Sequence, residues 1–244
     1  MTATPAAIDQ RLQRVLEANR RGRDLILEPG NRSPWLAPLQ RWQAARLERG
    51  FVDFLAEPLT APAARFFLDD LYGDRDVAAR DRDVERVLPL MRKLLPSHLI
   101  ETAADAIELA WLSHAFDLRL VAVLERGRST SRNKTLDERA YAAAYREVGK
   151  PRLRAHQIEL VLRVGKTLDH AVHKPWIPRL LRASRLPAKL AGLGELQRFL
   201  ERGFAAFQAL HGGADEFLGE IARREREVSR RLLSGHPKPF EVRR

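Results

Sequence analysis

Cysteine is absent from this 244-residue chain. That excludes disulfide frameworks, thiolate zinc sites, iron–sulfur clusters and thiol catalysis, and leaves the redox compartment open. No run of about 18 apolar residues occurs, so no membrane span is expected. The start, "MTATPAAIDQRLQR", lacks a basic segment followed by an apolar one, so no signal peptide is read and a cytoplasmic location is expected. Alternating apolar and polar residues, the mark of strands, are also missing, as is any fixed internal repeat. There is no P-loop, dinucleotide fingerprint or serine-nucleophile motif. "AGLGEL" (Ala191–Leu196) holds Gly-x-Gly but lacks the third glycine and a preceding strand.

Charge of one sign dominates what is present. The net charge is +11, with 36 Arg against 7 Lys. A total of this kind invites a nucleic-acid partner. An arginine and alanine bias is also what GC-rich coding gives any protein, so distribution says more than the sum. Residues 51–100 carry 7 basic and 9 acidic side chains; residues 151–200 carry 10 and 3. The acidic and basic sections are therefore expected to face one another in the fold.

Apolar residues recur at helical spacing throughout, which predicts an all-α protein, a bundle of nine or ten helices forming one domain over 1–244. The first helix is expected over Ala6–Arg20, with Ile8, Leu12, Val15 and Leu16 inward. A second covers Trp35 to Leu55, and a third opens at a Thr60 cap and closes at Gly73. A fourth, over 76–95, should kink at Pro89. A long helix, Ser97–Arg126, carries Ile100, Ala104, Ile107, Trp111, His114, Leu118 and Val121 at alternating spacings of four and three. Gly127–Lys134 is read as a loop, and Thr135 with Glu138 as a capping box. Helices over Pro151–His173, Leu193–Leu210 and Ala214–Leu233 follow, with Pro175, Pro178 and Pro187 interrupting the stretch between the first two. Residues 234–244 are read as a flexible tail.

The stretch "FFLDDLYGDRDVAARDRD" (Phe66–Asp83) is strongly acidic within a basic protein. Asp69, Asp70, Asp74 and Asp76 suggest a divalent cation. A calcium loop counted from Asp74 would put Ala78 and Ala79 where an oxygen ligand and a glycine are required. A helix junction accounts for more: aromatics anchored in the core, Gly73 closing one helix, and Asp74 or Asp76 opening the next. The blocks "AARFFLDDLYG…RDRD", "LQRFLERGFAAF" and "FLGEIARRERE" resemble a family of uncharacterised bacterial proteins of about this length. The resemblance implies a bacterial origin and one family over most of the chain, and carries over no catalytic residue.

Two constellations could carry function. Asp169 and His173 stand at i,i+4, and His114 and Asp117 at i,i+3, with Glu108 less than two turns before. Inward-facing carboxylates and imidazoles of a helical bundle are what an iron or manganese pair requires, and Asp-x-x-x-His resembles a motif of haem-oxygenase-like di-iron oxidases. The Glu-x-x-His motif of ferritin-like sites is missing; "HQIE" (His156–Glu159) runs in reverse. The structural alternative is a core histidine bonded to Asp117 and a helix end at His173.

The second is "KPWIPRLLRASRLPAKLAGL" (Lys174–Leu193). It carries Lys174, Arg179, Arg182, Arg185 and Lys189 with no acid, beside Trp176, Ile177, Leu180, Leu181 and Leu186. Such a segment suits an acidic protein, an anionic membrane surface or a nucleic-acid backbone; its structural alternative is a proline-broken hairpin lying on the bundle. The expected function is a non-enzymatic interaction or regulatory protein with a basic face over 174–189. The other reading is a non-haem di-metal oxidase-like enzyme. Long helices also permit a homo-oligomer, though no heptad run specifies one.

Overall fold

The computed structural model describes residues 4–71, 83, 86–87, 96–128 and 136–241. Among these residues there are ten α-helices and no strand: α1 (Pro5–Arg23), α2 (Leu36–Gly50), α3 (Val52–Ala56), α4 (Ala61–Phe66), α5 (Ser97–Arg128), α6 (Glu138–Val148), α7 (Pro151–Val172), α8 (Trp176–Leu190), α9 (Gly194–Gln208) and α10 (Ala214–Ser234). The protein is an all-α multi-helix bundle, as the periodicity predicts.

The long helix α5 is the spine. Its first half takes α1 alongside, where Ile8, Leu12 and Val15 pack with Ile100, Ala104 and Ile107. Thr4 caps α1 by accepting the Ala7 amide, and Arg20, Arg21 and Arg23 in its last turn complement the helix dipole. On another side α7 runs antiparallel to α5, so that Gln157 meets Ser113 and Arg163 meets Asp105. The second half of α5 packs with α2, α6 and α10 around Leu120, Leu124, Tyr141, Val228 and Leu232. A further core joins α4, α7, α9 and α10, centred on Phe66, Phe67, Phe207 and Phe217.

Two backbone features fix this layout. The α6–α7 turn is Gly149–Lys150, and Gly149 has φ 61° and ψ −126°, a combination that residues with a Cβ rarely adopt. At the α7–α10 crossing, a Cβ on Gly165 would lie 2.6 Å from Leu218 Cδ2, so only hydrogen fits there.

Several local expectations are corrected. The helix predicted over 35–55 breaks at Gly50–Phe51, where Phe51 turns inward and Arg224 Nη1 donates to the freed Gly50 carbonyl at 2.8 Å. Thr60 does not cap α4 with its side chain; its hydroxyl donates to Phe54 O at 2.8 Å. After Phe66 the chain widens into a π-helical turn, Phe67–Leu71, which brings Phe66, Phe67, Leu68 and Asp70 all into buried positions. Asp137, two residues later than expected, caps α6 by accepting the Ala140 amide at 2.8 Å. The closing segment, read as a flexible tail, lies against the bundle: Phe240 meets Trp42 edge-on, with ring centroids 5.6 Å apart. Gly73, Asp74, Asp76, the Pro89 kink, Thr135 and most of the 127–134 loop lie outside the described residues.

Candidate functional site

Helix α8 holds the predicted basic segment. Far from breaking into a hairpin, residues 176–190 form one helix, because Pro178 falls in the first turn and Pro187 near the last. Pro187 removes a single intrahelical bond, to Ala183 O. None of the fifteen residues is buried. One stripe, Ile177, Leu181, Ser184 and Ala188, is half-buried toward α9, where Gln197 Nε2 donates to Leu181 O at 2.7 Å and Ser184 Oγ lies 3.0 Å from Gln197 Oε1.

Apart from the half-buried Pro178, the rest of the helix is exposed. Lys174, Arg179, Arg182 and Lys189 are exposed and make no ion pair with any described residue. Arg185 differs from the other four. Glu201 clasps it through bonds of 2.7 and 3.1 Å, and this pairing holds the Glu201 carboxyl below its ordinary range. A second exposed stripe is apolar: Trp176, Leu180, Ala183, Pro187 and Leu190 follow at i, i+4, i+7, i+11 and i+14, with Leu186 beside them. Leu186 is 64% and Leu190 80% exposed.

The residues predicted as metal ligands are distributed rather than gathered. His114, buried on α5, has Nε2 2.7 Å from Asn31 Oδ1. Because the Asn31 amide donates to Gly22 O and Asp24 O, its oxygen accepts from the His114 ring. Asp117 accepts from Gln40 Nε2 at 3.2 Å, and burial pushes its carboxyl up to about 6 against the opposing bonds from Gln40 and Gln43. Burial also pushes Glu108 up, but bonds from His156 and Arg11 outweigh it and hold the carboxyl below its usual range. Asp169 Oδ1 stands 3.7 Å from His173 Nε2, too far for a hydrogen bond. His173 instead lines an open cleft of about 450 Å³ with His211 and Gln208. Among the described residues no three His, Asp or Glu side chains stand together as metal ligands would.

What does converge is an ionic network across α1, α5 and α7. Asp105 Oδ1 receives Arg11 Nη2 at 2.5 Å and Arg163 Nη2 at 3.0 Å. Glu108 receives Arg11 on one oxygen and His156 Nε2, at 2.7 Å, on the other. Asp105, Arg11 and Arg163 were not singled out from sequence, and His156 was read only within "HQIE". A signal existed: Asp105 and Glu108 stand at i,i+3, and His156 and Arg163 at i,i+7, so each pair shares a helix face. Nearby, the buried Arg154 lies between the Phe116 ring, 3.4 Å from its guanidinium carbon, and the Tyr145 ring, 4.4 Å away. The delocalised cation stacks on both faces, clipping α6 and α7 to α5. These groups hold helices together.

The acidic stretch is explained in part by the same logic. Asp70, buried in the π turn, accepts from Arg202 Nη2 at 2.6 Å and Nε at 3.0 Å. Asp53 receives both ends of the Arg224 guanidinium, whose hydrogen bonds lower its carboxyl to about 2. These carboxylates thus face α9 and α10, not α8.

No described helix is long and apolar enough to cross a membrane. No curated protein and no solved structure matches the chain. Residues 26–239 match a family described as a domain of unknown function (DUF8198), which includes the Phe-Phe-Leu-Asp-Asp-Leu block and both C-terminal blocks, and the chain belongs to that family.

Proposed function

We propose that the protein is a non-enzymatic helical interaction protein that docks an acidic partner on the outer face of α8. The observation that carries this reading is the group Arg179, Arg182 and Lys189 on one outer helix with Lys174 just before it, all exposed without a carboxylate counterpart among the described residues. Neighbouring acids are already engaged: Glu201 by Arg185 and Glu195 by Arg198. Exposed charges of one sign raise the encounter rate and select the partner's sign more than they add affinity.

The test compares two charge-matched variants binding immobilised poly-glutamate at low salt. One replaces Lys174, Arg179, Arg182 and Lys189 with Gln. The other replaces Arg14, Arg21, Arg139 and Arg152, which are exposed elsewhere. The α8 variant should lose at least tenfold more affinity than the control, with both unfolding at the parental temperature. Equal losses would show that only total charge matters, and the docking face would be abandoned.

A further inference from the structure

Resting on that reading, we infer that the acidic partner of α8 is an anionic lipid surface, on which the helix lies flat with its second apolar stripe inserted. A surface helix needs one apolar stripe to hold it to its bundle. In α8 that need is met by Ile177, Leu181 and Ala188. Trp176, Leu180, Ala183, Pro187 and Leu190 form a second, exposed stripe beside the one that faces the bundle, and Leu186 and Leu190 are the most exposed of the helix's large apolar side chains.

The arrangement around this stripe selects among partners. Arg179, Arg182 and Lys189 run along one flank, Lys174 precedes the helix, and Trp176 stands at its start. Leucines inserted, cations level with headgroup phosphates and an indole at the boundary are the pattern of an in-plane interfacial helix. Charges of both signs on one face fix a protein partner's register more tightly than charges of one sign alone. From residue 174 to residue 190 there is no acid, so the face specifies sign and depth but no register. A fluid anionic surface asks for nothing more. The helix is already folded against α9, so binding requires no ordering of a loose segment.

The experiment is vesicle co-sedimentation of the full chain, using phosphatidylcholine alone and phosphatidylcholine mixed with phosphatidylglycerol. Three proteins are compared: the parent, the α8 charge variant above, and Leu186→Ser/Leu190→Ser. Because both leucines are largely exposed, the leucine variant should fold as the parent does. The parent should bind only vesicles containing phosphatidylglycerol. Each basic residue removed should lower partitioning about fivefold, and each leucine about tenfold. Poly-glutamate binding by the leucine variant should remain at the parental level. Vesicle binding that survives loss of both leucines would overturn the inference, since the apolar stripe would then play no part. So would failure of the parent to bind vesicles. In that case retained poly-glutamate binding would leave the basic face standing with a protein partner, and its absence would remove both readings.

Discussion

Replacing Asp117 with Asn should stabilise this protein at neutral pH. Asp117 sits on α5 one turn after His114, enclosed by Gln40 and Gln43 from α2, and burial raises its carboxyl from 3.8 to about 6. A carboxyl that ionises less readily in the fold than in the unfolded chain favours the fold only while protonated. Its effect is therefore most favourable below about pH 4, declines between about pH 4 and 6, and is constant above. The difference of about two pKa units corresponds to about 3 kcal/mol of stability forgone at neutral pH, as an upper bound. Arg154 and Arg23 already offset part of the burial, and Asn keeps an oxygen for Gln40. The net gain should be about 1–2 kcal/mol, or a Tm rise of about 2–8 °C for a chain of this size.

Urea denaturation at pH 7.5 and pH 4 provides the assay. The variant should exceed the parent at pH 7.5, match it within error at pH 4, and share its m-value. Below pH 4 both should lose stability together. Asp53 and Glu220, held near 2 by Arg224 and Arg223, are carboxyls whose stabilising charge disappears as pH falls from about 4 toward 2. Destabilisation by more than about 1 kcal/mol at pH 7.5 would refute the reasoning. It would mean that attraction to the buried Arg154 outweighs the burial of the ionised Asp117 carboxylate, and that removing it strands a cation.

Two further predictions test the packing. Gly165→Ala should cost about 1–3 kcal/mol by urea denaturation, because its Cβ would fall 2.6 Å from Leu218 Cδ2, and Leu218→Val in the same chain should recover part of that loss. Phe240→Ala should cost about 2 kcal/mol and speed proteolysis after residue 235, since the ring holds the closing segment against Trp42 and Tyr141.

The helices were legible because each buries one stripe, and a stripe leaves a period in the sequence. Ile8, Leu12 and Val15, or Ile100, Ala104 and Ile107, could be placed inward without knowing what they touch. The breaks were less visible. Phe51 and Phe54 continue the period of α2, so nothing local announces the interruption that Arg224 stabilises from 174 positions away. The polar interior was hidden for the same reason. His114 and Asp117 share a turn of α5, which suggested a pair, yet each is met by α2 or by the segment before it, through Gln40 and Asn31. Local spacing identifies which side chains share a face. It does not identify the face opposite.

That limit also explains why net charge was a poor guide and the α8 face a better one. Several arginines are internal clips: Arg11 on Asp105 and Glu108, Arg46 on Glu225, Arg202 on Asp70, Arg224 on Asp53 and Glu220. Arg154 is held by aromatic rings instead. A cation in such a clip adds to the total of +11 but is neutralised where it stands. Lys174, Arg179, Arg182 and Lys189 add to the same total without being neutralised by a described residue. Three of them share an outer helix with leucines that the bundle does not cover, and Lys174 precedes it. Arg14, Arg21, Arg139 and Arg152 are likewise exposed without an ion pair to a described residue, so what sets the α8 face apart is the exposed leucines that stand beside its cations.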